Sequence, residues 1–412
     1  MVFEGASINL NILFSLAVFF YSVCSISHAS ESHEDQRNLL PDLRQKASDE
    51  ASGEQIAVPD HFLRLLDSIK IVTSGDSIKS NPGTLATSEG CKASIWSSGD
   101  YTVEQNGVPR TFRVRLPSNY DSTKAYPLIT VFHGWGGDQG EFLDNVTVRA
   151  EADNRGYVVV APLGLGRAEN QFSSWSFQGS TTGLDGDGIN SAVPNDTDAI
   201  CDDDRTADYV YPSCKDVASN GCSWTQCSVD DIDFTVALVT EVLANVCVDS
   251  NRIYGIGGSN GGMFVWDLGR DKRSASVFTA LATIIGLPHR GYLDPPLSKD
   301  GMPVISITGL RDRTVPPGDW EQSNFTTTSD GDVYYYSSAS AITRIWADSQ
   351  GCDTTVPAEA IDVGVANVEC RGWSYCRGDS VWPPVLDCRG NMGHAYSLTW
   401  TWPLILDFFE QL

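Results

Sequence analysis

Four continuous apolar runs of strand length set the tightest limit on the fold. "YPLITVFHG" begins at Tyr126, "YVVVAPLG" at Tyr157, "RIYGIGG" at Arg252 and "MPVISITGL" at Met302. A strand that is apolar at nearly every position has both faces covered. Such runs therefore belong at the centre of a mostly parallel sheet between two helical layers. Segments of helical length separate them. Residues 140–155 read as one helix, and residues 230–246 place Ile232, Leu238, Val239, Val242, Leu243 and Val246 on one face behind an acidic N-terminus. "NGGMFVWDLGR" and the closing "WTWPLILDFFEQL" read as further helices, and "SVFTALATIIG" as a strand. "TFRVRLP", following "QNG", reads as half of a hairpin. The class is α/β, with helices on both faces of the sheet.

Three stretches stand outside this alternation. Residues 1–29 hold an apolar segment from Ile8 to Val23 followed by Ser27-His28-Ala29, the pattern of a cleaved secretory signal peptide. Glu4 and the lack of Lys or Arg there keep a retained anchor as the alternative. Residues 30–88 are polar, charged and poor in aromatics, as expected of a disordered linker or pro-segment, which leaves residues 89–412 as the folded domain. Residues 165–228 hold four cysteines and many Asp and Gly with little periodicity. They read as a disulfide-pinned insertion over the C-terminal edge of the sheet, where ligands bind in open α/β folds. Asp185, Asp187 and Asn190 admit a calcium reading, but their spacing does not match an EF-hand loop, and a solvated acidic loop is the expectation.

Of eleven cysteines, Cys24 lies in the signal, and the remaining ten fit five disulfides in an oxidising compartment, with a connectivity the spacing does not reveal. Asn145, Asn195 and Asn324 open N-glycosylation sequons, consistent with a secreted, extracellular chain. A formal charge of −25 without a basic stripe argues against nucleic acid or an anionic membrane surface as partner, and no membrane contact is expected once the signal is cleaved. No cysteine pair has zinc-finger spacing, so neither metal nor cofactor is expected.

At the end of the third apolar run stands "GGSNGG", residues 257–262. Glycines on both sides of one hydroxyl, between a strand and a helix, are the context of a nucleophile elbow around Ser259. The string lacks the Lys of a P-loop and the spacing of a dinucleotide-binding turn. A serine hydroxyl needs a base, and the base an orienting carboxylate. Beyond the polar segment the only histidines are His133, His289 and His394. In a chain of this kind the order is serine, acid, histidine, with the last on a loop before the final helix, which selects His394. Asp312, just past "MPVISITGL", is the expected acid, with Asp353 and Asp387 as lesser candidates. A surface ion pair of Asp312 with Arg311 or Arg313 is the alternative role. Two backbone N–H groups must face the developing oxyanion. Asn260, after the serine, supplies one, and Trp135 in "VFHGWGG" is the expected second. Phe172, Trp175 and His289 with Arg290 are candidates for the acyl pocket.

"NRIYGIGGSNGGMF" preceded by "VDDIDF", with "HGWGG" upstream, "GLRDRTVPP" downstream and "GHAYSLTWTWP" near the end, resembles the secreted feruloyl esterase and polyhydroxybutyrate depolymerase-like esterases of the α/β-hydrolase superfamily. The resemblance runs from Cys91 to the C-terminus. It implies an α/β-hydrolase fold, a Ser259-Asp312-His394 triad, and hydrolysis of carboxylic esters without a cofactor. The substrate it implies is first a hydroxycinnamoyl ester on plant cell-wall polysaccharide, then a polyhydroxyalkanoate polyester or acetylated xylan. Arg311 replaces the small residue usual before the acid, and Trp402-Pro403 lies farther behind His394 than the family pattern has it. Two other readings stay open: a serine peptidase, and a non-catalytic secreted binding protein on the same fold.

Overall fold

The computed structural model describes residues 87–92, 95–166, 172–180, 200–206, 224–226, 229–297, 301–321, 325–328, 331–374, 376 and 383–412. The chain divides into two units, Met1–Pro82 and Gly83–Leu412, and every described residue belongs to the second. The expected signal peptide, nearly all of the polar segment, most of residues 165–228 and the sequons at Asn195 and Asn324 lie outside the described residues.

β1 (Gly99–Gln105) and β2 (Val108–Arg115) form the hairpin expected from "QNG". Asn106 and Gly107 turn it with φ of 51° and 79°, the double positive φ that suits the right-handed twist of two-residue hairpins. Six parallel strands follow across the sheet: β4 (Val158–Pro162), β3 (Tyr126–Phe132), β5 (Val248–Gly258), β6 (Ala280–Ile284), β7 (Val304–Gly309) and β12 (Val385–Gly390). β2 pairs antiparallel with β4 on one side. β11 (Val368–Gly372) and β10 (Glu359–Ile361) extend the other edge, also antiparallel. β8 (Phe325–Thr327) and β9 (Tyr335–Ser337) make a separate two-stranded sheet.

Helices cover both faces, as the apolar runs require. One hydrophobic cluster packs α3 (Asp231–Asn245), α4 (Asn260–Arg270) and α5 (Ala339–Ser349) on the sheet. The other packs α1 (Gly140–Leu143), α2 (Val146–Arg155) and α6 (Leu398–Glu410) on the opposite face. Among the described residues no helix is long and apolar enough to cross a membrane.

The single helix expected over 140–155 is two. Asn145 breaks it, because its Oδ1 accepts from the N–H groups of Thr147 and Val148 at 2.9 and 3.3 Å and so caps the start of α2. Three disulfides join Cys91 to Cys247, Cys352 to Cys376 and Cys370 to Cys388, and Cys201 is disulfide-bonded too. Cys370 and Cys388 are directly opposed on β11 and β12, tying down the sheet edge.

β3 connects outward to β4 while β5 lies on its other side, so the strand order reverses between β3 and β5. That reversal opens a crevice at the C-terminal ends of the two strands. The candidate nucleophile and the "HGWGG" loop both emerge there.

Candidate active site

The elbow is built by close contact. Ser259 sits between β5 and α4 with φ 52° and ψ −118°, a left-handed backbone that a non-glycine residue holds only under constraint. The constraint comes from its glycines. A Cβ on Gly257 would stand 2.1 Å from the Gly261 carbonyl oxygen, and one on Gly261 would stand 2.2 Å from the Phe132 carbonyl oxygen. The start of α4 thus lies directly on the end of β3. Ser259 N–H donates to the Ile284 carbonyl at 2.8 Å, which locks the turn to β6.

Residues 135 positions apart in sequence meet at this turn. Ser259 Oγ lies 2.9 Å from His394 Nε2, and His394 Nδ1 lies 2.8 Å from Asp312 Oδ2. A carboxylate oxygen only accepts, so Nδ1 carries the proton and Nε2 is left as acceptor for the serine hydroxyl. Asp312 is 4% exposed and seated by the N–H groups of Thr314 and Val315, each 2.9 Å from Oδ1. Its role is this seat and the imidazole. Arg311 and Arg313 are exposed, and Arg311 donates to the Asn391 carbonyl. The lesser acid candidates lie away from the imidazole: Asp353 accepts from Thr355, and Asp387 is buried against Arg389 and Ser340.

β5, β7 and β12 bring a serine at a strand-to-helix elbow, an acid and a histidine together in the chain order and places of an α/β-hydrolase fold. The chain has that fold.

No family model matches the sequence. Over 208 residues the chain is 26% identical to Feruloyl esterase D of Neurospora crassa, and the match covers 50% of this chain and 56% of that one. Among solved structures it is similar to the acetyl xylan esterase from Aspergillus awamori, at 13% identity and a TM-score of 0.45, over 76% of this chain and 100% of that one. It is also similar to Est1E from Butyrivibrio proteoclasticus, at 13% identity and a TM-score of 0.29, over 53% and 81%. Neither structural likeness bears on the chemistry, which the site's own geometry must carry.

The second oxyanion candidate depends on the loop after β3. Gly164 N–H donates to His133 Nε2 at 2.9 Å, so His133 Nδ1 carries the proton and donates to the Gly134 carbonyl at 2.7 Å. Burial lowers the pKa of His133, which keeps this ring neutral and the bonding pattern fixed. Within one peptide plane C=O and N–H point in opposite directions. Fixing the Gly134 carbonyl therefore fixes the direction of the Trp135 N–H. Asn260, as the first residue of α4, has no intrahelical acceptor for its own N–H. Its side-chain Oδ1 accepts from Trp175 N–H at 2.9 Å, which holds the helix start against the insertion.

The cavity in front of the serine has a volume of about 460 Å³, and its walls are apolar and aromatic: Trp135, Trp224, Met263, Ile285, Val315 and Tyr336. Phe172 stacks on Trp135 with ring centroids 4.4 Å apart and so backs the wall. Two expectations need correction. Trp175 is fully buried beneath the loop, its Nε1 donating to the His133 carbonyl at 2.8 Å, so it supports the loop after β3 and does not line the cavity. His289 is also fully buried, accepting from Trp224 Nε1 at 2.8 Å behind that wall and stacking on Tyr336. Desolvation pushes its pKa down to about 4, so at neutral pH it is an uncharged strut. Arg290 turns away and covers Phe325 and Tyr335.

Sequence reasoning missed Trp224, Tyr336, Glu141 and Tyr396, all of which line the cavity. Only Tyr396 carried a signal, being two residues beyond the candidate base. A second cavity of about 390 Å³ lies between α5 and the β10–β11 edge; its buried acid, Asp387, is paired with Arg389, and the Ser340 hydroxyl that lines it is bonded to that same pair. Among the described residues no group of His, Cys, Asp and Glu is arranged to hold a metal.

Proposed function

We propose that this protein is a secreted serine carboxylic ester hydrolase, whose preferred substrate is a hydroxycinnamoyl ester on plant cell-wall polysaccharide. The observation that carries the reading is the unbroken hydrogen-bond chain from Ser259 Oγ through His394 to Asp312 at a strained elbow. His394 Nε2 takes the hydroxyl proton as Oγ attacks the ester carbon, and Asp312 steadies the resulting imidazolium. The N–H groups of Trp135 and Asn260 receive the oxyanion. When the tetrahedral adduct collapses, Nε2–H protonates the leaving alkoxide and the alcohol departs, leaving an acyl-serine. Water, deprotonated by the same nitrogen, cleaves that ester, releases the acid and restores Oγ–H. None of these steps asks for a cofactor.

The aromatic walls at Trp135, Trp224 and Tyr336 favour a flat acyl group, and the similarity to a feruloyl esterase points the same way. The disulfides accord with an extracellular site of action. Acetylated xylan and polyhydroxyalkanoate are the alternative esters. The test is hydrolysis of methyl ferulate, p-nitrophenyl acetate and p-nitrophenyl butyrate by the full chain beside Ser259→Ala. The reading expects methyl ferulate to give the highest kcat/KM of the three. Turnover of none of them by folded, disulfide-intact protein would favour a binding role for the fold.

A further inference from the structure

The Trp135 N–H that must meet the oxyanion belongs to a loop with glycines at 134, 136 and 137, a segment with little conformational preference of its own. His133 fixes the peptide plane on the C-terminal side of Gly134. The plane on its N-terminal side is held from elsewhere. Gly134 N–H donates to Glu141 Oε2 at 2.9 Å, and the same oxygen accepts from the Tyr396 hydroxyl at 2.8 Å. With both flanking planes fixed, the φ and ψ of Gly134 are fixed, and with them the aim of the Trp135 N–H.

The carboxylate is also fitted by shape. A Cβ on Gly137 would stand 2.2 Å from Glu141 Oε1, so the loop folds directly onto the acid. Tyr396 fills the remaining space. A Cβ on Gly134 would stand 2.5 Å from its hydroxyl oxygen, and one on Gly258 would stand 2.3 Å from its ring. Phe142, the next residue after Glu141, stacks on the Tyr396 ring at 5.3 Å. Burial and the neighbouring Glu141 raise the Tyr396 pKa well above its ordinary value, so the phenol stays a donor. Tyr396 lies two residues from His394. One carboxylate oxygen therefore joins the oxyanion loop to the loop carrying the candidate base.

We infer that Glu141 is a positioning residue for the hydrolysis reaction, acting through Gly134 and Tyr396 to hold the Trp135 N–H on the oxyanion. The inference rests on the hydrolase reading proposed above. A misplacement of about 1 Å at a catalytic group lowers rate by about 10²-fold while leaving ground-state binding largely intact. In the full-length protein, Glu141→Ala is expected to lower kcat on p-nitrophenyl acetate by about 10- to 100-fold with KM changed less than about twofold. Glu141→Gln, which keeps one acceptor oxygen, recovers a large part of that loss. Binding of a trifluoromethyl ketone, whose adduct places an oxyanion in the same hole, weakens in step with kcat across the set. Tyr396→Phe combined with Glu141→Ala is no worse than Glu141→Ala alone, since both remove one linkage. Should the Ala variant fail to fold, Tyr396→Phe, which breaks the same linkage, carries the same kcat-against-KM reading. A kcat within about twofold of the parent in Glu141→Ala, or in Tyr396→Phe where the Ala variant does not fold, or a loss carried by KM alone, overturns the inference. Parent activity that Ser259→Ala abolishes, with the Glu141 variants unaffected, removes this inference and leaves the hydrolase reading standing. A parent that cleaves no ester removes both.

Discussion

The serine end of the cavity and its acyl wall are made in different ways. Around Ser259 the structure is dictated by backbone crowding: Gly257 against Gly261, Gly261 against Phe132, and a serine at φ 52° between a buried strand and a buried helix. The acyl wall is assembled from afar, with Trp224 from the insertion, Tyr336 from β9 and Val315 from the loop after β7. His289 braces it from behind, with one nitrogen on Trp224 and the other on the Tyr335 carbonyl. The first region tolerates almost no change of chain, so it fixes the chemistry. The second is held by side-chain packing, so it is where specificity is free to vary.

That contrast can be broken in graded steps. The largest effect is expected at the relay itself. Asp312→Asn leaves the shape intact but no longer fixes the His394 tautomer, and kcat is expected to fall by about 10³- to 10⁴-fold in steady-state ester hydrolysis. A fall of less than tenfold would mean that the carboxylate does not orient the base.

Next comes the strut behind the acyl wall. His289 has its pKa lowered from 6.5 to about 4 by burial, so the unfolded chain binds the proton first as pH falls. The native state is at full advantage above about pH 6.5 and loses up to about 3 kcal/mol as pH descends towards 4. Denaturant melts between pH 7 and pH 4 should show that slope, and His289→Gln should flatten it. Parallel slopes in the two proteins would assign the acid sensitivity to other groups.

Gly261→Ala drives a methyl group into the carbonyl oxygens of Phe132 and His133. A loss of about 1–3 kcal/mol in stability, with a fall in activity on every ester alike, is expected. The wall should behave otherwise. Trp224→Ala is expected to raise KM for methyl ferulate by about tenfold while p-nitrophenyl acetate changes by less than about threefold. An equal loss on both esters would erase the distinction between the two regions.

The same division explains what was readable beforehand. Continuous apolar runs and the glycines flanking Ser259 state their own requirements in consecutive residues, so the central strands, α4 and the elbow follow from local sequence. His394 and Asp312 were reachable because few histidines exist and the acid follows a clear strand. Trp224 and Tyr336 offered no such signal, since each meets the cavity only through contacts distant in sequence. His289 and Trp175 looked like pocket residues by type and place, yet both went into the interior once their hydrogen-bonding groups found partners there. The edge strands β10 to β12 were hidden for a related reason. Asp387 and Arg389 interrupt the apolar pattern of β12, yet they pair with each other in the interior beneath Trp320. Even there the acid pays for burial, which raises its pKa despite the arginine.

The most direct test of the account is covalent. Treatment of the purified protein with a fluorophosphonate, followed by mass spectrometry of its peptides, reads out which hydroxyl is activated. One adduct per chain is expected, on the peptide containing Ser259, formed far more slowly in His394→Ala. An adduct on another residue, or labelling of Ser259 at the same rate without the imidazole, would contradict it.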